Sequence, residues 1–82
     1  MLKLRRIADV IAARGCAKST HYADIANGLW TKPVKLGHAS AWPEHENDTQ
    51  IAARIAGKSD DEIRALVKEL EAARTADREA RQ

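Results

Sequence analysis

The sequence predicts a mainly α-helical domain that carries one small β-hairpin. Three observations predict it. First, the stretch Gly15–Asn27, GCAKSTHYADIAN, joins an apolar-patterned segment, Ile7–Arg14, to a second one beginning at Lys18-Ser19-Thr20. Two short helices linked by a tight glycine-containing turn are the sequence form of a helix-turn-helix. Second, Pro33 and Pro43 bracket a stretch that no continuous helix can occupy, with strand-like alternation on either side of Gly37. Third, Ser59-Asp60-Asp61-Glu62 is a capping box ahead of Ile63, Leu66, Val67, Leu70 and Ala73, a sustained helical stripe. Together these describe a winged helix-turn-helix over residues 1–57 and a capped amphipathic helix over residues 58–82, packing on the domain or mediating self-association.

Composition bounds the function. Eighty-two residues make one domain burying roughly 60% of its unfolded surface, which leaves no room for a sizeable catalytic cavity. No apolar run is long enough to cross a membrane. Asp9 and Arg14 interrupt any signal-peptide core after Lys3, Arg5 and Arg6. A single cysteine cannot form an internal disulfide, which fits a reducing cytoplasmic, nucleoid-associated location. The net charge of +2 hides an asymmetry: residues 1–43 hold seven Lys/Arg against two Asp, and residues 44–82 hold seven against ten Asp/Glu, so +5 and −3 sum to +2. A basic first half carrying two short helices points to a polyanionic partner.

In chain order, Leu2–Arg6 alternates apolar and basic residues and reads as a short strand. Ile7, Val10 and Ile11 form the core face of the first helix, with Asp9 in its first turn, where the dipole favours an acid. Gly15 ends that helix in the left-handed conformation. In the second helix Tyr22, Ile25, Ala26 and Leu29 face the core. Lys18 is the natural phosphate or guanine contact, and Thr20 reaches a phosphate or a thymine methyl. Ser19 is read first as the helix cap. Asp24 repels phosphate but can accept from a cytosine amino group. His21, following the turn, is read as an interhelix packing residue ahead of a DNA contact. Gly28 closes the helix. Lys32, Lys35 and His38 line the polar edge of the hairpin, which Trp30 and Trp42 clamp onto the helices. Pro43–Ala56 restarts a helix, with Glu44, Glu46 and Asp48 early. Its apolar face, Ile51, Ala52, Ile55 and Ala56, is poor, because Asn47 and Gln50 are polar where it should continue. In the last helix acids gather at the start and Arg74, Arg78 and Arg81 near the end. Thr75–Gln82, poor in apolar residues, are expected to fray.

Enzymatic constellations are absent from the sequence: there is no glycine-rich phosphate loop and no His-Glu-x-x-His. Cys16, His21, His38 and His45 match no standard zinc spacing, and Cys16 reads as a small buried residue in the turn. No enzyme activity, cofactor, metal or small-molecule substrate is expected.

Several runs, taken in order, carry a family resemblance. They are Arg6-Ile7-Ala8-Asp9-Val10, Gly15-Cys16-Ala17-Lys18-Ser19-Thr20-His21-Tyr22, Lys32-Pro33-Val34-Lys35-Leu36-Gly37, Ser40-Ala41-Trp42 and Ala52-Ala53-Arg54-Ile55-Ala56-Gly57. Across residues 4–57 the chain resembles the AlpA family of prophage and mobile-element regulators, with a MerR/excisionase-like winged helix-turn-helix. The resemblance implies double-stranded DNA as partner, the helix Lys18–Ala26 in the major groove, and the Lys32–Trp42 wing along the backbone or minor groove. It also implies control of an integrase or excision operon, or service as an excisionase (recombination directionality factor), with further copies bound cooperatively and an integrase as a possible partner. The expected DNA-binding set is Lys18, Ser19, Thr20, His21, Tyr22, Asp24, Lys32, Lys35 and His38. The chain departs from the family pattern at His21 (usually aliphatic), Cys16 (often Leu), Asp24 (frequently Arg), Thr31 (usually Pro), Asn47 and Gln50 (usually apolar), and at the wing tip Gly37–Ser40, which is short and lacks the common Arg. The alternative is a protein-interaction module, a partner of an integrase or repressor, that keeps the helix-turn-helix as a scaffold and presents the Ile63–Ala73 face.

Overall fold

The computed structural model describes the backbone of residues 2–80 and the side chains of residues 2–75. Leu4–Arg6 forms β1, Ile7–Arg14 α1, Lys18–Ala26 α2, Val34–Leu36 β2, Ala39–Pro43 β3, Glu44–Ile55 α3 and Asp60–Ala80 α4. Every element expected from the sequence is present, as a small α/β domain with a three-stranded antiparallel sheet. The hairpin β2–β3 turns over Gly37-His38, with Val34 opposite Ala41 and Leu36 opposite Ala39. The sequence did not say where β1 goes: it pairs with the other edge of β3, Arg5 opposite Trp42, giving the order β1-β3-β2. Gly15 (φ 70°) ends α1 as expected, its N–H reaching the Ile11 carbonyl at 2.9 Å. No helix among the described residues is long and apolar enough to cross a membrane.

The centre of the core is Val10, Trp30 and Trp42, with Ile7, Ile25 and Ile51 packed against it. Trp42 also donates its indole N–H to the Thr31 carbonyl at 2.9 Å. Both tryptophans thus clamp hairpin to helices. Two helical faces differ from the expectation. In α2, Tyr22 is 47% exposed and Ala26 is exposed, while Ile25 and Leu29 are half-buried. The inward stripe is His21, Asp24, Ile25 and Gly28, at i, i+3, i+4 and i+7. In α3, Ile55 is 82% exposed and Ala52 and Ala56 are exposed, while Glu46, Asn47 and Gln50 are buried. Glu46 and Gln50 lie inside with polar partners there. Gln50 accepts from the Thr31 backbone N–H at 3.0 Å, and its amide donates to Thr31 Oγ1 and to the Glu46 carbonyl, each at 3.1 Å. It thereby satisfies a loop that enters the core between α2 and β2.

The capping box ahead of α4 is made: Ser59 N–H bonds Glu62 at 3.1 Å and Glu62 N–H bonds Ser59 Oγ at 3.2 Å. Ile63 and Val67 are buried within this chain, Leu66 and Leu70 half-buried, and Ala73 exposed. The centre of the stripe therefore packs on the domain and is not available to a partner. Arg74 completes the seating with a bidentate bond to Glu46, at 2.7 and 2.5 Å. The helix continues to Ala80; of the stretch expected to fray, Arg81 and Gln82 lie outside the described residues, as do the side chains from Ala76 onward, Arg78 among them.

Candidate nucleic-acid interface

The turn from Gly15 to Ala17 delivers α2 with its first residues, Lys18, Ser19 and Thr20, exposed and no acid in its first turn. Ser19 does not cap this helix. The cap position is Ala17, which has no side chain able to bond a backbone N–H. The first intrahelical bond is from His21 N–H to the Ala17 carbonyl, at 3.1 Å. The N–H groups of Lys18, Ser19 and Thr20 precede it and carry the positive end of the helix dipole. The arrangement suits an anion outside the helix end better than a local cap would.

Behind this exposed end lies an enclosed polar network. Arg14, the last residue of α1, donates from Nη1 to His21 Nδ1 at 2.8 Å and from Nη2 to the Asp24 carboxylate. Its guanidinium also stacks on Trp30, 4.2 Å from the ring centre. Arginine has no acceptor, so His21 Nδ1 must be the unprotonated nitrogen and Nε2 must carry the proton of a neutral ring. Burial, and next the Arg14 charge, push the His21 pKa down to about 4, with Asp24 opposing. The His21 ring is fully buried and meets Trp42 edge-on, with centroids 4.8 Å apart and planes at 74°. His21 thus has no surface to offer DNA and leaves the expected contact set for the packing role. Asp24, fixed to Arg14 and only 18% exposed, leaves it as a reader of cytosine.

Tyr22, expected in the core, is exposed on α2. Lys35 is exposed on the hairpin, its ammonium bonded to Ser40 Oγ at 2.8 Å, and His38 is exposed at the hairpin turn. Lys32 is not on the hairpin edge. It lies in the cleft of Asn27, Gly28, Arg64 and Lys68, between the C-terminal end of α2 and α4, with its backbone N–H bonded to Glu71 at 2.8 Å. Arg5 is paired to Glu44 at 2.8 Å, which holds that carboxyl below its ordinary range. Lys3, Arg6, Lys18, Lys32 and Lys35 make no ion pair among the described residues, so the free cations of the basic half are these.

Arg14 is the residue the sequence reading missed. It stands one turn beyond Val10 and Ile11, at i+7 from Ile7, where the face would otherwise be apolar, and its partners lie seven and ten residues on. A cation closing α1 opposite a histidine and a carboxylate one turn apart on α2 was the available signal. No three of the described His, Cys, Asp and Glu side chains converge as a metal site would require. Cys16, half-buried, lines a shallow pit with Arg14, Trp30, Ile51 and Ile55. No family model, no curated protein and no solved structure matches this chain.

Proposed function

We propose that this chain binds double-stranded DNA as a winged helix-turn-helix, with α2 as the recognition helix and β2–β3 as the wing. The observation that carries the reading is the start of α2: an uncapped, acid-free helix end that exposes Lys18, Ser19 and Thr20 together. Backbone N–H groups and a lysine at such an end position a helix on phosphates, and side chains of the first turn then reach base edges. Lys35 on the hairpin supplies a second point of backbone contact. With the likeness of residues 4–57 to the AlpA pattern, the reading extends to a regulator of a prophage or mobile element, acting at an attachment site as an excisionase or at the promoter of an integrase operon. The interaction-module alternative loses support, because Ile63 and Val67 are already buried.

A protomer neutralising about four phosphates gives a slope of log K against log salt near −3.6. Lys18→Ala and Lys35→Ala are each expected to weaken binding several-fold and to flatten that slope by about 0.9. The deciding experiment is selection of fragmented element and host DNA by the purified protein near physiological salt, with Lys18→Ala as control. A few discrete fragments, lost in the variant, support the reading; those at an attachment site favour excision and those at promoters favour transcriptional control. Recovery of no fragment refutes it, and uniform recovery of every fragment refutes recognition of a specific site.

A further inference from the structure

Arg14, His21 and Asp24 form a network that the DNA-contact reading does not itself use. We infer that Arg14 is a positioning residue: by gripping α2 at His21 and Asp24 together, it fixes the seating of that helix on α1 and so sets where Lys18, Ser19 and Thr20 stand. The inference rests on the DNA-binding reading above.

The geometry carries it in three steps. His21 and Asp24 are three residues apart, so Arg14 holds α2 at two points about one turn, ~5 Å, apart along its axis. One bond would let the helix swivel about it; two bonds from a single planar group restrain both rotation and tilt. The guanidinium itself cannot wander, since its side chain is only 9% exposed and lies over buried Trp30. Finally, Asp24 is the only acid on α2, and pairing it removes the one charge on that helix that would oppose a phosphate backbone. The groups facing His21 are Arg14 from α1, Asp24 and Tyr22 from α2, and the rings of Trp30 and Trp42.

Arginine is required here in a way that lysine is not equivalent to. Its fork reaches two acceptors while its face stacks on a ring, whereas an ammonium is a point charge on a flexible stem. Arg14→Lys therefore keeps the charge beside Asp24 and removes the two-point grip, which separates positioning from simple neutralisation.

The test uses a random-sequence DNA duplex pool enriched once with the wild-type protein. The enriched duplexes are titrated over salt with wild type, Arg14→Lys, Asp24→Asn and Lys18→Ala, with circular dichroism to verify folding. Arg14→Lys is expected to bind about tenfold more weakly, the size of a lost charge-assisted hydrogen bond, with the wild-type salt slope retained; Lys18→Ala loses about 0.9 of slope. Asp24→Asn, which leaves the fold least disturbed, is expected to shift binding in the same direction by a smaller factor. Imidazole nitrogen shifts, read without DNA, are expected to show one neutral Nε2–H tautomer for His21 in wild type and tautomer mixing in Arg14→Lys. Wild-type affinity in both Arg14→Lys and Asp24→Asn, a slope loss in Arg14→Lys like that of Lys18→Ala, or an Nδ1–H tautomer in wild type each overturns the inference while leaving the DNA reading standing. No enrichment by the wild-type protein overturns the DNA reading and this inference with it.

Discussion

Two enclosed charge clusters hold this domain together, and they differ in how far the chain must travel to close them. At the α1–α2 corner, Arg14 meets residues seven and ten positions away. At the α3–α4 corner, Glu46 waits for Arg74, twenty-eight positions away. The first cluster is closed by a single turn, and includes a histidine kept neutral. The second is closed only when the last helix has docked, and its carboxylate is the more deeply buried, at 1% exposure against 18% for Asp24. The difference separates two tasks. A short-range cluster can set the geometry of one exposed helix, whereas a long-range one makes the whole domain depend on α4.

The comparison breaks most severely if α4 is removed. A chain ending at Gly57 loses Ile63 and Val67 from the core and leaves Glu46 buried without its guanidinium. It is expected to show no cooperative thermal transition by circular dichroism; a cooperative melt in that fragment would mean that the first 57 residues hold together without the α3–α4 cluster.

Next in size is Arg74→Ala, expected to cost about 3–5 kcal/mol in urea unfolding, because an unpaired buried carboxylate remains. Pairing it with Glu46→Leu should recover much of that loss, since removing both charges removes the desolvation penalty as well. Additive losses in the double variant would show that the pair is favourable beyond mutual compensation.

Acid attacks the other cluster. The unfolded His21 imidazole takes up its proton near pH 6.5, and the folded one only near pH 4. Between these values the unfolded chain binds more protons, so His21 favours folding fully above pH 6.5 and that stability is lost as pH falls toward 4. A shift of this size corresponds to roughly 3 kcal/mol. Urea midpoints measured across that window should fall with acid, and His21→Leu should flatten the fall; an equally steep fall in His21→Leu would show that His21 is not its cause, since Glu44 and Glu62, both held below their ordinary range, lose their contribution only as pH drops through and below that range. The smallest effect is expected at the exposed helix start. Lys18→Ala should leave stability within about 0.5 kcal/mol, so that any loss of DNA binding in that variant reports contact and not folding.

The polar residues on the inward faces of α2 and α3 acquire a spatial logic in the same comparison. His21 and Asp24 both bond Arg14, and Thr31 and Gln50 bond each other through backbone and side chain. Read singly, each is a polar residue where an apolar one would be expected in a core. Read in space, they come in bonded groups, in which His21 Nε2 is buried without a partner. Asn47 remains outside this account: its side-chain oxygen is buried without a partner.

What the sequence determined by itself was the position of each element. Gly15 ends α1, the prolines exclude a helix between them, and Ser59 with Glu62 starts α4; these are decided by residues within a few positions of one another, where backbone conformation and local hydrogen bonds act. What only the tertiary structure decided was which face of α2 and α3 turns inward. Apolar spacing placed Tyr22 and Ile55 in the core, and they are exposed. His21, Glu46 and Gln50 are inside instead, each bonded there to a side chain from another part of the chain, which offsets the cost of burying a polar group. Thr31 and Arg74 come from nineteen and twenty-eight positions away, which no local pattern encodes, while Arg14 lies seven positions from His21 across one turn.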